Sequence, residues 1–219
     1  MVGLSALAVS GMRAPAVQHA ASQVMSGLSL ARQIAITKNT YAALLIATNT
    51  SAGFPTNGPY RHWSVVYSNR GSSGNWTIAK DWEELPNGAF ILEILRESGN
   101  AAQTYNELST NIFTGYSIGQ GFSPTNFPTL LFTKIFAITG NNTIDVLEDQ
   151  IIPCIVFNSS GTVTNAGGIP DNAGNAIRIA QGNVMAGNAT LTSTNQYFFV
   201  ETDSRTGRIR MRSPESYYR

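Results

Sequence analysis

The sequence predicts an α+β protein, with one N-terminal amphipathic and apolar helix packed on an antiparallel β domain. Three observations carry that expectation. An apolar stripe of helical period runs from Val17 to Ala35. After Thr40 the chain changes to short apolar or alternating runs divided by turns rich in Gly, Ser and Asn. No fixed-period repeat and no long linker sets a second globular unit apart. Residues 1–40 are assigned to the helix and 41–219 to the β domain.

Within the helical segment, Val17, Ala21, Val24, Leu28, Ala31 and Ala35 recur at alternating steps of four and three, which places them on one face. Gln18, Ser22, Ser26, Ser29 and Gln33 lie largely off that face. Arg32 and Lys38 bring charge toward the C-terminal end, where the helix dipole favours cations. The small residues on the stripe permit close approach to a sheet. Pro15 either opens this helix or kinks a longer one that begins near Val2, and Asn39-Thr40 reads as the stop. Upstream, Met1 to Met12 is apolar but is followed by Arg13, short of the roughly 20 residues a spanning helix needs. It also lacks the basic leader and small-residue cleavage site of a secretory signal.

The strand signals follow in order. "YAALLIAT" reads as a buried strand, and "HWSVVYS" and "NWTIAKDW" as a hairpin around Gly-Ser-Ser-Gly. "LPNG" introduces "AFILEIL". Ser98 to Pro128 reads as an insertion or long loop with weak strands, and "TLLFTKIFAIT" as a strand or a short helix. The last third, with "CIVFNSSGTVTN", "NAIRIAQGNV" and "YFFVETDSRTGRIRMRS", reads as a series of antiparallel strands.

Composition and motifs argue against chemistry. Charged residues are 12% of the chain and the net charge is +1, so no global field recruits nucleic acid or steers acidic substrates. The lone cysteine, Cys154, excludes an intramolecular disulfide and a Cys-only zinc site, and in "IIPCIVF" it reads as a buried inert thiol. His19 and His62 stand far apart, outside any metal-ligand spacing, and read as surface or boundary residues. Glu83-Glu84 and Glu148-Asp149 are adjacent acids in loop-like surroundings, poorly placed for paired-carboxylate catalysis. There is no Gly-x-Ser-x-Gly and no Walker-type loop. Trp63, Trp76 and Trp82 read as core or sheet-packing residues, or as a sugar-stacking platform if exposed. Arg208, Arg210 and Arg212 fall on one face of a strand, with Arg205 close by.

Several pieces, in this order, resemble the GspH/FimT pseudopilin group of type IV pilin-like proteins. "ASQVMSGLSLARQIAITKNT", with Ala31-Arg32 and Ala35-Ile36, is similar to the family's first amphipathic segment. "HWSVVYS" resembles its tryptophan-bearing strand, and "WEELPNGAFI" its Leu-Pro-x-Gly step. "IVFNSSGTV" looks like its Ile-x-Phe-x-x-x-Gly hairpin and "TGRIRMR" like its closing Gly-Arg strand. These pieces touch the first hundred residues and the last seventy, and the middle departs from the pattern by being longer.

The resemblance implies a pilin-like fold and a non-enzymatic structural subunit of a type IV pilus or type II secretion pseudopilus, with no cofactor. Its assembly helix would comprise Val2, Leu4, Leu7, Val9, Met12, Val17, Val24 and Leu28. Its partners would be other pilin or pseudopilin subunits, with the inner membrane as anchor before assembly and an envelope or cell-surface location. The family pattern begins with a prepilin leader and places Glu at mature position five. Here Ser5 stands fifth and no Glu precedes Glu83, so the first dozen or so residues of the mature span are expected upstream of Met1. The family's reputation for DNA capture by a basic C-terminal region would fall on Arg205, Arg208, Arg210 and Arg212. The rival from another class is a secreted β-sandwich that binds glycan through exposed aromatics such as Trp63 and Trp82.

Overall fold

The structure, a computed structural model, describes residues 4–47, 60–68, 75–96, 129–139, 142–164, 175–185, 188–193 and 196–213. It is an α+β arrangement: one helix, α1 (Leu4–Lys38), laid against two β-sheets. Of the two roles open to Pro15, the structure takes the second, because Pro15 lies inside one continuous helix of 35 residues. Its missing N–H leaves the Gly11 carbonyl without the usual helical donor. At the other end Asn39 adopts a left-handed φ of 50°. The N–H of Thr40 then donates to the Ala35 carbonyl at 3.0 Å and that of Asn39 to Ile36 at 3.2 Å, which closes the last turn as Asn39-Thr40 implies.

The first sheet contains β1 (Ala42–Ile46), β2 (His62–Ser68), β3 (Asn75–Glu84), β5 (Thr129–Thr139), β6 (Asn142–Phe157) and β7 (Val163–Thr164). β1 lies between β2 and β6, and β2 and β3 form the expected antiparallel hairpin. β5 pairs with β6 on one side and, in parallel, with the start of β3 on the other. Hydrogen-bonded pairings therefore run β1-β2-β3-β5-β6 and back to β1, a closed ring of five strands. The second sheet has the order β11 (Ile209–Arg212), β10 (Tyr197–Thr202), β8 (Asn175–Met185), β4 (Ala89–Arg96), with β9 (Asn188–Leu191) on β8.

Several sequence expectations change here. The helix on antiparallel sheets is as expected, with one local exception: the start of β3 pairs with β5 in parallel. β6 extends over 16 residues, so Glu148-Asp149 lies within a strand, and Glu83-Glu84 closes β3; neither pair is in a loop. The ambiguous "TLLFTKIFAIT" is strand β5. The proposed insertion at Ser98 to Pro128 lies outside the described residues. Pro153, which punctuates β6, stands where that strand changes partner: Pro153 opposes Thr129 of β5, and the next residue, Cys154, opposes Leu45 of β1.

The core explains the choice of residues. Val17, Ala20, Ala21, Val24, Leu28, Ala31 and Ala35 of α1 are buried against side chains from both sheets, including Leu44, Trp63, Ile91, Ile177, Val200 and Phe157. β1 is covered on both faces. Ala42, Leu44 and Ile46 meet the helix, while Ala43, Leu45 and Ala47 join Val66, Trp76, Cys154 and Val156 on the other side. This double burial is why "AALLI" is a continuous apolar run without alternation. On the second sheet, Phe90, Leu92, Ala176, Ala180, Tyr197 and Phe199 make a third cluster. The buried Arg178 guanidinium sits over the Tyr197 ring there, 4.2 Å from its centre.

Close approach of helix to sheet depends on Gly27. A Cβ at that position would lie 2.8 Å from Leu44 Cδ1 and 2.8 Å from Trp63 Cε3, inside contact distance. Gly to Ala in a helix interior normally adds about 1 kcal/mol of stability. Here Gly27→Ala is expected to lower the urea midpoint instead, because the added methyl pushes the helix off Trp63. A raised midpoint would show that the contact is slack.

Candidate functional site

Among the described residues no group of three His, Cys, Asp or Glu side chains could hold a metal ion. The features with functional potential are the helix and the basic hairpin formed by β10 and β11. They meet at Arg32. Its Nε donates to the Gly161 carbonyl at 3.1 Å, and its Nη2 donates to the Thr206 carbonyl at 3.1 Å. One guanidinium thus ties α1 to the β6–β7 turn of the first sheet and to the β10–β11 turn of the second.

Both turns are built to present those carbonyls. In the first, the Asn158 side-chain oxygen accepts from the N–H groups of Ser160 (3.0 Å) and Thr162 (3.1 Å), and Asn158 Nδ2 donates to Thr162 Oγ1 at 2.8 Å. In the second, Asp203 Oδ1 accepts from both the N–H and the hydroxyl of Thr206 at 2.8 Å. These bonds from Thr206 hold the Asp203 carboxyl below its ordinary pKa. The Val163 N–H donates to the Ser204 carbonyl at 3.1 Å and joins the two turns directly.

Glycine is required at the junction twice. Gly161 and Gly207 have φ of 77° and 63°, in the left-handed region. A Cβ on Gly207 would overlap the Gly161 carbonyl oxygen and lie 2.8 Å from Arg32 Nε.

On β11, Ile209 and Met211 pack toward the helix cluster and Arg210 is exposed, as is Arg208 just before the strand. Arg212 is half-buried and pairs with Glu201 at 2.9 Å, and Arg205 is exposed on the turn. Of the helix residues named for assembly, Val17, Val24 and Leu28 are buried in this chain's own core. Leu4, Leu7, Val9 and Met12 lie on the upstream part of α1, and Val2 lies outside the described residues. Among the described residues, no helix is long and apolar enough to cross a membrane.

Other candidates resolve into structure. Trp63 and Trp76 are buried and Trp82 packs partly against the second cluster. Cys154 is buried and free. His19 is exposed, but His62, expected at the surface or a boundary, is buried on β2 opposite Glu84, because β2 is flanked by β1 and β3. In the sequence Arg32 stands out only as a charge toward the C-terminal end of the helix, and its role as a clamp was not foreseen. The available signal was the placement of a long cation on the edge of an otherwise small, apolar stripe, beside two hairpins with glycine in their turns.

Fold and junction together define a helix clamped across two sheets by a buried-edge arginine. No family model and no curated protein matches the sequence. Among solved structures, the chain is similar to the type IV minor pilin FimU of Pseudomonas aeruginosa, at 12% identity and a TM-score of 0.43, over 91% of this chain and 90% of that one. It is similar also to the minor pseudopilin EpsH of the type 2 secretion system of Vibrio cholerae, at 12% identity and a TM-score of 0.43, over 90% of this chain and 97% of that one.

Arg32→Lys cannot serve both carbonyls with a planar fork and is expected to cost about 2 kcal/mol in urea unfolding, the scale of hydrogen bonds made by charged groups. Gly207→Ala is expected to cost at least as much, roughly 2–3 kcal/mol, from backbone strain and overlap. Asp203 has a lowered folded pKa, so its contribution is present above the unfolded pKa and is lost as pH falls through the folded value. Asp203→Asn should therefore flatten the acid limb of the stability profile, below the ordinary carboxylate range, as followed by thermal melts across pH.

Proposed function

We propose that this chain is a pilin-like structural subunit, of the GspH/FimT pseudopilin kind, in an envelope or surface filament such as a type IV pilus or a type II secretion pseudopilus. The observation that carries the reading is the meeting point at Arg32. Ala31-Arg32, "IVFNSSGTV" and "TGRIRMR" each resemble that family separately, and they lie far apart in sequence. In space they form one hydrogen-bonded junction. A chance resemblance of three short stretches gives no reason for them to touch.

The mechanism is assembly without chemistry or cofactor. The Val17-to-Ala35 stripe seats the helix on its own sheets. The upstream part of α1, with Leu4, Leu7, Val9 and Met12, is left to pack with the corresponding helices of other subunits, after holding the subunit at the inner membrane. Any longer apolar span, with its processing and methylation, would lie upstream of Met1. The rival glycan-binding reading has only Trp82, which is partly buried, in its favour, because Trp63 is 2% exposed. DNA capture has the exposure of Arg205, Arg208 and Arg210 in its favour. Glu201 and Asp203 in the same hairpin limit the attraction for phosphate.

A chain beginning at Ala16 keeps every helix residue of the main core among the side chains described. It is expected to retain a cooperative thermal transition while forming no filaments by negative-stain microscopy. Undiminished filaments, or loss of folding, would overturn assembly through the upstream helix.

A further inference from the structure

A groove runs between the C-terminal half of α1 and the β10–β11 hairpin. It holds about 650 Å³, with Arg32, Gln33 and Ile36 on the helix side and Thr206, Arg208 and Ile209 on the hairpin side. At a rise of about 1.5 Å per residue, Arg32 stands roughly 40 Å along α1 from Leu4. The groove is thus remote from the part of the helix assigned to assembly. No acidic residue lines it.

Two cations line this groove without a counter-ion among the described residues. Arg32, half-buried, gives Nε and Nη2 to carbonyls, which are neutral, and its Nη1 has no partner among the described residues. Arg208 is exposed, and its guanidinium makes no hydrogen bond or ion pair among them. The two acids of the hairpin are engaged elsewhere. Glu201 pairs with Arg212 at 2.9 Å, while Asp203 accepts from Thr206 and lies within reach of the Arg210 charge. The negative end of α1 is answered in its last turn by Lys38 and by the N–H groups of Asn39 and Thr40. A half-buried guanidinium whose charge meets only carbonyl dipoles favours an anion beside it, and its planar fork suits a carboxylate.

The walls narrow the class of anion. Ile36, 44% exposed, and Ile209 bring aliphatic surface to both sides of the groove. A nucleic-acid backbone repeats its phosphates and is held by a run of cations. One carboxylate beside an apolar side chain matches two arginines set among isoleucines, and the last residue of a polypeptide presents that combination.

We propose that this groove binds the C-terminal carboxylate of a partner polypeptide that ends in an apolar residue. The carboxylate is held by the Arg208 fork and by the unused N–H groups of Arg32. Gln33 donates its amide N–H, and the last side chain of the partner lies against Ile36 and Ile209. The site goes beyond assembly through α1 and does not depend on it.

The test titrates the full chain, in detergent micelles at low ionic strength, with three short probes followed by heteronuclear NMR. They are acetyl-Gly-Gly-Leu with a free carboxylate, the same peptide as its C-terminal amide, and acetyl-Gly-Glu-Gly amide, whose one carboxylate is a side chain. The free acid should shift the backbone amides of Gln33, Thr206 and Ile209 and bind about tenfold more tightly than its amide. Arg208→Gln should weaken that binding by about tenfold, and Ile36→Glu, which sets an acid in the groove, should abolish it. Both positions are exposed, so thermal melts close to wild type confirm that the variants are folded. Equal binding of acid and amide, or an affinity that neither variant changes, would overturn the site. Tighter binding of the glutamate probe would overturn the chain end as occupant in favour of an internal acid. A short oligothymidylate that displaces the leucine peptide and shifts the same amides further would overturn it in favour of nucleic acid. Arg208→Gln is expected to form filaments as the wild type does, so failure of this site and failure of assembly through α1 are read separately.

Discussion

The structure depends on a single guanidinium. Arg32 stands on the edge of the apolar face of α1 and satisfies one carbonyl from each sheet, at Gly161 and Thr206. Hydrophobic burial presses the helix onto the sheets but is non-directional, and a smooth stripe of alanines offers little to fix its rotation or its slide. Two hydrogen bonds in a planar fork supply that register. The glycines opposite let the carbonyls come close enough to be reached. Helix position, turn geometry and the spacing between the sheets are thus settled at one point.

The second constraint is the burial of β1 on both faces. A strand with α1 above and a second cluster below has no polar side to offer solvent, so its residues are Ala, Leu and Ile throughout. The ring of strands supplies the lower cover. β6 is long enough to serve both β5 and β1, and Pro153, which cannot donate to a ladder, falls at the exchange.

How much of this was legible follows from the range of each interaction. The helix face, its stop at Asn39-Thr40 and the β2–β3 hairpin are local consequences of period and turn chemistry, and they read directly from the sequence. Partner choice is not local. Alternation says which residues share a face but not which strand lies alongside, so the division into two sheets, the parallel β3–β5 pair and the closing β1–β6 pair were hidden. Glu148-Asp149 looked loop-like, and the 16-residue length of β6 that contains it was not apparent. His62 looked superficial because its neighbours Arg61 and Trp63 gave no hint that β2 is a central strand. At the candidate site, arginine and both glycines were visible as letters, and only three dimensions brought them together.

The spacing of the clamp has a consequence for the order in which the chain folds. Arg32 bonds to residues 129 and 174 positions further on. At a synthesis rate of roughly 5–20 residues per second, its second ligand emerges about ten to thirty seconds after the arginine itself. During that interval the first sheet is already made, but the apolar stripe of α1 waits for β10 and β11, and with them Val200, Ile209 and Met211, to complete its cover.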